Sequence, residues 1–169
     1  MARKLPKILT QEEFEKILKA EPKKEFKLAY LLGFEAGMRI SEIVGFKDRI
    51  KPLSKECVEG NNLRIIAGKG EKDRIVPKPK RLNQVGMNIL PLKIPRRTLQ
   101  GRFTRLAKKV LGKDLTFHTL RHGFGSHLAN QGMSIHQIQM LMGHANLQTT
   151  GVYLHANPKE AVERAQELF

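Results

Sequence analysis

Residues 118–127 read HTLRHGFGSH, and two chemistries compete for them. His118 and His122 stand four apart, a spacing at which two imidazoles on one helix face can share a metal ion. His118 and Arg121 stand three apart, which on the same helix sets an imidazole beside a guanidinium fork. The metal reading is poor in partners. The stretch itself holds no carboxylate or cysteine to complete a ligand set, and the catalytic Glu of an HExxH zinc site is missing. An arginine between the two histidines also repels a cation. An anion suits the stretch better, because an Arg fork with a His donor matches a phosphate. Gly123 and Gly125 each cost a helix interior roughly 1 kcal/mol relative to alanine. The expected reason for that cost is room for a bulky partner against a bare backbone. A plain solvated helix face remains equally open on these ten residues alone.

The surrounding composition favours a polyanion. Lys and Arg number 31 against 16 Asp and Glu, for a net charge of +15. Like charges repel in a compact fold, so an excess of this size points to a partner that rewards it, above all nucleic acid through phosphate contacts and counterion release. A merely basic or ribosome-associated protein is the alternative. With 169 residues, 40% of them hydrophobic, one sizeable core and one domain are expected. The single cysteine, Cys57, rules out an internal disulfide and a cysteine-based zinc knuckle. No apolar run approaches the roughly eighteen residues of a membrane span. The opening MARKLPKILTQEEF lacks the apolar stretch of a signal peptide. A cytoplasmic, nucleoid-associated protein with no membrane partner is the expectation.

Local patterns predict a chain that is mainly α with a small three-stranded antiparallel β-sheet. LTQEEFEKILKA opens with a capping box, Thr10 with Glu13, and continues with Phe14, Ile17 and Leu18 at helical spacing. KEFKLAYLLGFEAG is apolar enough to be a core helix, with Tyr30 inside it as a core residue. MRISEIVGF reads as a short helix with Ile40, Ile43 and Val44 turned inward and Arg39 and Glu42 turned away. ECV, LRII and RIVP are short β runs separated by the turn-rich EGNN and AGKGEKD. In RRTLQGRFTRLAKKVLG, the stripe Leu99, Phe103, Leu106 and Val110 is expected to be buried. Arg102, Arg105 and Lys109 form an adjacent basic stripe expected to meet DNA, as is Lys72 in the hairpin turn. SIHQIQMLMG is capped by Ser134 with Gln137 and stopped by Gly143. The final helix has Asn157 as its cap and Pro158 at its first position, and its apolar face runs through Ala161, Val162, Ala165, Leu168 and Phe169.

Further polar candidates lie at element ends: Arg39 and Glu42, Lys69 between Gly68 and Gly70, His144 after Gly143, and Tyr153, one of two tyrosines. Taken singly each has an ordinary explanation. In the order Arg, Lys, His-x-x-Arg, Gly-His, Tyr, carried by AGMRISEIVGF, GKGEKDRIVP, FHTLRHGFGSHLANQG and IQMLMGHANLQTTGVYLH, the chain resembles the tyrosine recombinase (phage integrase) family. The likeness runs from about Leu9 to His155.

That resemblance implies the fold of a DNA breaking-rejoining catalytic domain and a role for each matched residue. Tyr153 would be the nucleophile, forming a 3′-phosphotyrosyl link to DNA. Arg39 and Arg121 would clamp the non-bridging phosphate oxygens, with His144 as a further donor. His118 would assist proton removal from the tyrosine, and Lys69 would protonate the 5′-oxygen that leaves. Glu42 would support by orienting its neighbours, while His122 has no catalytic counterpart. The implied reaction is site-specific recombination through a Holliday junction, without metal or cofactor, by a homotetramer on double-stranded DNA that is monomeric when free. Residues 157–169 are expected to be exchanged between protomers, the alternative being docking on their own core. Only about nine residues precede the first helix, so residues 1–169 are expected to be a single catalytic domain without the family's N-terminal core-binding domain. DNA relaxation of the type IB topoisomerase kind, or a non-catalytic DNA-binding accessory role, are the alternatives.

Overall fold

A computed structural model describes residues 8–66, 73–143 and 158–169 of the chain. Helix α1 (Gln11–Ala20) starts where the capping box predicts: the Thr10 hydroxyl accepts from the Glu13 N–H at 3.2 Å, and the Glu13 carboxylate accepts from the Thr10 N–H at 3.3 Å. Its apolar residues Phe14, Ile17 and Leu18 are buried. Helix α2 (Lys24–Glu35) is the centre of the molecule, buried continuously from Leu28 to Glu35. A helix this apolar all round needs neighbours on every side. It finds α1, α3 (Ile40–Val44), α4 (Leu82–Val85) and α6 (His118–Asn130), and its Tyr30 ring meets Phe103 of α5 (Arg96–Leu111) edge-on at 5.2 Å.

Between α3 and α4 the chain forms the expected sheet, β1 (Val58–Glu59), β2 (Asn62–Ile65) and β3 (Arg74–Pro77), antiparallel in the order β1-β2-β3. Leu63 pairs with Val76 and both are buried, so one face of this small sheet belongs to the core. Helix α7 (Ile135–Met142) is capped by Ser134 with Gln137, and α8 (Pro158–Glu167) follows. Phe124, Leu128, Ile138 and Leu141 form a second apolar cluster with Ala161, Val162 and Ala165 of α8. The terminal Phe169 stacks on Phe124 at 5.8 Å and meets Phe34 edge-on at 6.0 Å. In this single chain α8 therefore docks on its own core. Among the described residues no helix is long and apolar enough to cross a membrane.

Three expectations change. On α5 the fully buried line is Leu99, Phe103 and Ala107, with Leu106 and Val110 only half-buried. Glu42 does not turn to solvent but is buried against arginine side chains. The glycines of α6 serve helix packing rather than a DNA backbone. A Cβ at Gly123 would stand 2.5 Å from the Phe34 ring and 3.1 Å from the backbone oxygen of Leu9. Phe34 cannot swing aside, being stacked on Phe14 with ring centroids 4.1 Å apart. At Gly125 the nearest atom is the flexible Met142 sulfur, 3.1 Å away.

The two positions should therefore respond differently to alanine. Gly123→Ala is expected to lower stability by about 1–3 kcal/mol through overpacking. Gly125→Ala should be near neutral or slightly stabilising, because helix propensity gains about 1 kcal/mol. Urea midpoints of the two variants check this, and a stabilised Gly123→Ala would contradict the packing.

Candidate active site

The site is built around the last turn of α7. A helix leaves its final carbonyls without intrahelical partners, and its C-terminus carries the negative end of the macrodipole. Three arginines from three different elements take these carbonyls in sequence. The Nε of Arg74, at the start of β3, donates to the Leu141 carbonyl at 2.9 Å. Arg121 on α6 donates through Nη2 to the Met142 carbonyl and through Nη1 to Gly37, at 2.6 Å in the latter case. Arg39, at the entrance to α3, donates through Nη2 to the Gly143 carbonyl at 3.3 Å.

Burial of these groups differs in a way that matters. Arg121 is only 3% exposed, so its fork is held by the fold rather than by solvent. Arg39 is half-buried, with its side chain 31% exposed. Gly37 takes a positive φ of 63° in the turn that joins α2 to Arg39, and Arg121 grips that turn directly. Arg121 thus braces the backbone turn that leads into Arg39.

Glu42 ties the group together. Its carboxylate accepts the Arg39 N–H at 2.7 Å and Arg39 Nη1 at 3.2 Å. It also accepts both ends of the Arg74 fork, at 2.8 and 2.9 Å. Burial alone would raise this carboxyl, but the Arg74 hydrogen bonds and charge, helped by Arg39, hold it below the usual glutamate value. The sequence pattern placed Glu42 on a solvent face because helical spacing locates a side chain only around its own helix. Here Glu42 sits in the first turn, where it folds back on the helix start and is covered by a strand arginine.

His118 lies one helical turn before Arg121 and is exposed, its ring edge-to-face on His122 with centroids 4.5 Å apart. Among the described residues no three His, Cys, Asp or Glu side chains gather as a metal site. The basic stripe on α5 divides. Arg105 and Lys109 are exposed, but Arg102 closes on Glu21 at 2.8 and 2.6 Å and lies over the Phe26 ring. Its fork supplies the counter-charge that the fully buried Glu21 needs, while its side chain stays 30% exposed.

Lys69, Lys72, His144 and Tyr153 lie outside the described residues. Tyr30 is fully buried and its hydroxyl donates to Glu21 at 3.1 Å. Burial first, and then the neighbouring Glu21 charge, push this phenol far up and keep its proton in place. Arg74 was not singled out by the sequence. Its only local signal is a charged residue opening an otherwise apolar strand, and its partners are remote along the chain.

Comparison with known proteins identifies the family and the fold. The model of the phage integrase family matches residues 7–160. The chain is 34% identical over 185 residues to the tyrosine recombinase XerA of Thermococcus kodakarensis, covering 98% of this chain and 63% of that protein. It therefore spans rather less than two thirds of that relative's length. Among solved structures, the integrase from mycobacterium phage Brujita superposes with a TM-score of 0.78 at 20% identity, covering 100% of this chain and 60% of that one. A lambda integrase tetramer bound to a Holliday junction superposes with a TM-score of 0.62 at 19% identity, covering 85% of this chain and 48% of that one. The mainly helical fold with its three-stranded sheet is thus that of integrase catalytic domains. With the family match running nearly end to end over the arginine-bearing segments, the chain belongs to the phage integrase family.

Proposed function

We propose that this chain is the catalytic domain of a site-specific tyrosine recombinase. The observation that carries the reading is the convergence of Arg39 and Arg121 on the adjacent carbonyls of Gly143 and Met142, at the point where the chain enters His144. Two guanidinium forks held side by side match the charge that develops on a phosphodiester under attack. The net charge of +15 supplies the wider attraction to DNA.

In the proposed reaction the Tyr153 oxygen attacks the phosphorus, and the bond to the 5′-oxygen breaks. The tyrosine proton passes towards His118, and Lys69 gives a proton to the leaving 5′-oxygen. Arg39, Arg121 and His144 hold the non-bridging oxygens. The product is a 3′-phosphotyrosyl link and a free 5′-hydroxyl. The phosphodiester energy is conserved in that link, so a 5′-hydroxyl from another strand can reverse the attack without ATP or metal. Two rounds of exchange between duplexes pass through a Holliday junction. The XerA and lambda integrase likenesses support this reading. Arg102, Arg105, Lys109 and Lys72 are proposed as phosphate contacts, Arg102 through the part of its side chain that the pairing with Glu21 leaves exposed.

The direct test is a nicked suicide duplex carrying the recognition site, from which wild-type protein should yield an SDS-resistant protein–DNA adduct. No adduct on a duplex that the protein demonstrably binds would overturn the reading. Assembly is proposed as a tetramer in which the segment from residue 157 leaves its own core for a neighbour's. Deleting residues 158–169 should then leave monomer binding in place and abolish junction formation. Junctions formed at the wild-type rate would sink the exchange.

A further inference from the structure

We propose that Arg74 is a positioning residue: its guanidinium joins Glu42 on α3 to the carbonyl end of α7 and so sets the aim of Arg39 and Arg121. This deepens the phosphoryl-transfer reading above and rests on it. Arg74 makes three hydrogen bonds of 2.8–2.9 Å to two elements, two to the Glu42 carboxylate and one to the Leu141 carbonyl. A planar fork alone can do this, since three N–H groups leave it in fixed directions, whereas lysine offers one point charge.

Both attachments lead to the clamp. Glu42 accepts from the side chain and the backbone of Arg39, so a shift of Glu42 moves that arginine at two points. Leu141 precedes the carbonyls of Met142 and Gly143, which hold Arg121 and Arg39. Movement of the α7 terminus would displace both.

The joint is also closely packed. Gly143 adopts a left-handed conformation with φ of 61°, and a Cβ there would come within 2.8 Å of Arg74 Cδ and 3.0 Å of its Nε. The glycine thus ends the helix and makes room for the arginine at once. A direct DNA contact by Arg74 is the competing role. Its fork is closed on the Glu42 carboxylate at 2.8 and 2.9 Å, which matches its charge within the protein, and its Nε is taken by the Leu141 carbonyl. Arg74 also opens β3, five positions after Lys69, so the same joint anchors one root of the hairpin that carries the proposed general acid.

Single-turnover cleavage of the nicked duplex, measured at saturating protein, separates these roles. Arg74→Lys and Glu42→Gln should each slow adduct formation by about 10²-fold, the size expected of a misplacement near 1 Å. The Kd for the duplex should stay within about twofold, with its salt slope unchanged. The double variant should be no slower than the worse single, because the two residues act through one link. Wild-type cleavage by Arg74→Lys, multiplicative losses in the double variant, or a salt slope reduced by about one would each overturn the proposal, the last by making Arg74 a phosphate contact. Thermal melts accompany every variant. If Arg74→Lys does not fold, the near-isosteric Glu42→Gln decides the matter in the same assay: full cleavage by it refutes the joint. Failure of wild-type protein to form an adduct would instead bring down the reading of the site as a whole.

Discussion

Tyr153→Phe is expected to bring adduct formation to background while duplex affinity stays within about twofold. The substitution removes one oxygen, the only atom of the side chain able to attack phosphorus. Loss of a nucleophile costs on the order of 10⁶ in other covalent enzymes, which lies beyond detection in this assay. Salt dependence should not change, since a neutral phenol contributes no phosphate contact. The chain holds two tyrosines, and the other cannot take over. Tyr30 is fully buried in α2, donates its proton to Glu21, and is held protonated by burial and by that carboxylate. Tyr30→Phe is thus the matched control. It should lose stability, through a hydrogen bond withdrawn from a buried carboxylate, and still form adduct. An adduct persisting in Tyr153→Phe would mean that the nucleophile is another residue.

Arg121→Ala should slow cleavage by about 10²–10³, the usual cost of removing one transition-state donor. This arginine also has a structural role, because its fork holds the Gly37 and Met142 carbonyls together across the end of α2, α6 and α7. Each carbonyl left without a donor in the interior costs about 1–3 kcal/mol. Lower chemical or thermal stability should therefore accompany the rate loss. Arg121→Lys divides charge from geometry. It keeps the charge but cannot reach two carbonyls and a phosphate, so cleavage should remain depressed by about 10²-fold or more while stability is partly recovered. Single-turnover rates at saturating protein, set beside melting curves, separate the two effects. An Arg121→Lys variant cleaving at the wild-type rate would show that only charge is needed there.

The elements of the fold were legible where the governing interactions are local. The capping boxes at Thr10 and Ser134 act within one helical turn, and both form as their sequences predict. The hairpin strands are short β runs separated by turn residues, and they pair as expected. Tyr30 was readable as a core residue because its whole helix is apolar. The contacts that the sequence leaves out share one cause. Gly123 looked like open space on a helix face, and that face turned out to lie against Phe34 and Leu9. Arg102 and Arg105 looked alike as cations on one stripe, yet only Arg102 lies within reach of Glu21. Nothing within a few residues of any of these positions reports the partner.

The amino-acid sequence by itself determined the net charge, the order of secondary elements and the candidate residues, since charge, periodicity and motif order are properties of the chain. The tertiary structure alone decided which polar groups meet. It buried Glu42, brought Arg74 to it, paired Arg102 with Glu21, and set Arg39 and Arg121 on consecutive carbonyls at the end of α7. The physical reason is that guanidinium and carboxylate groups act over about 3 Å. Groups remote along the chain come that close only after the apolar helices have packed, so the aim of the site is a product of the core beneath it.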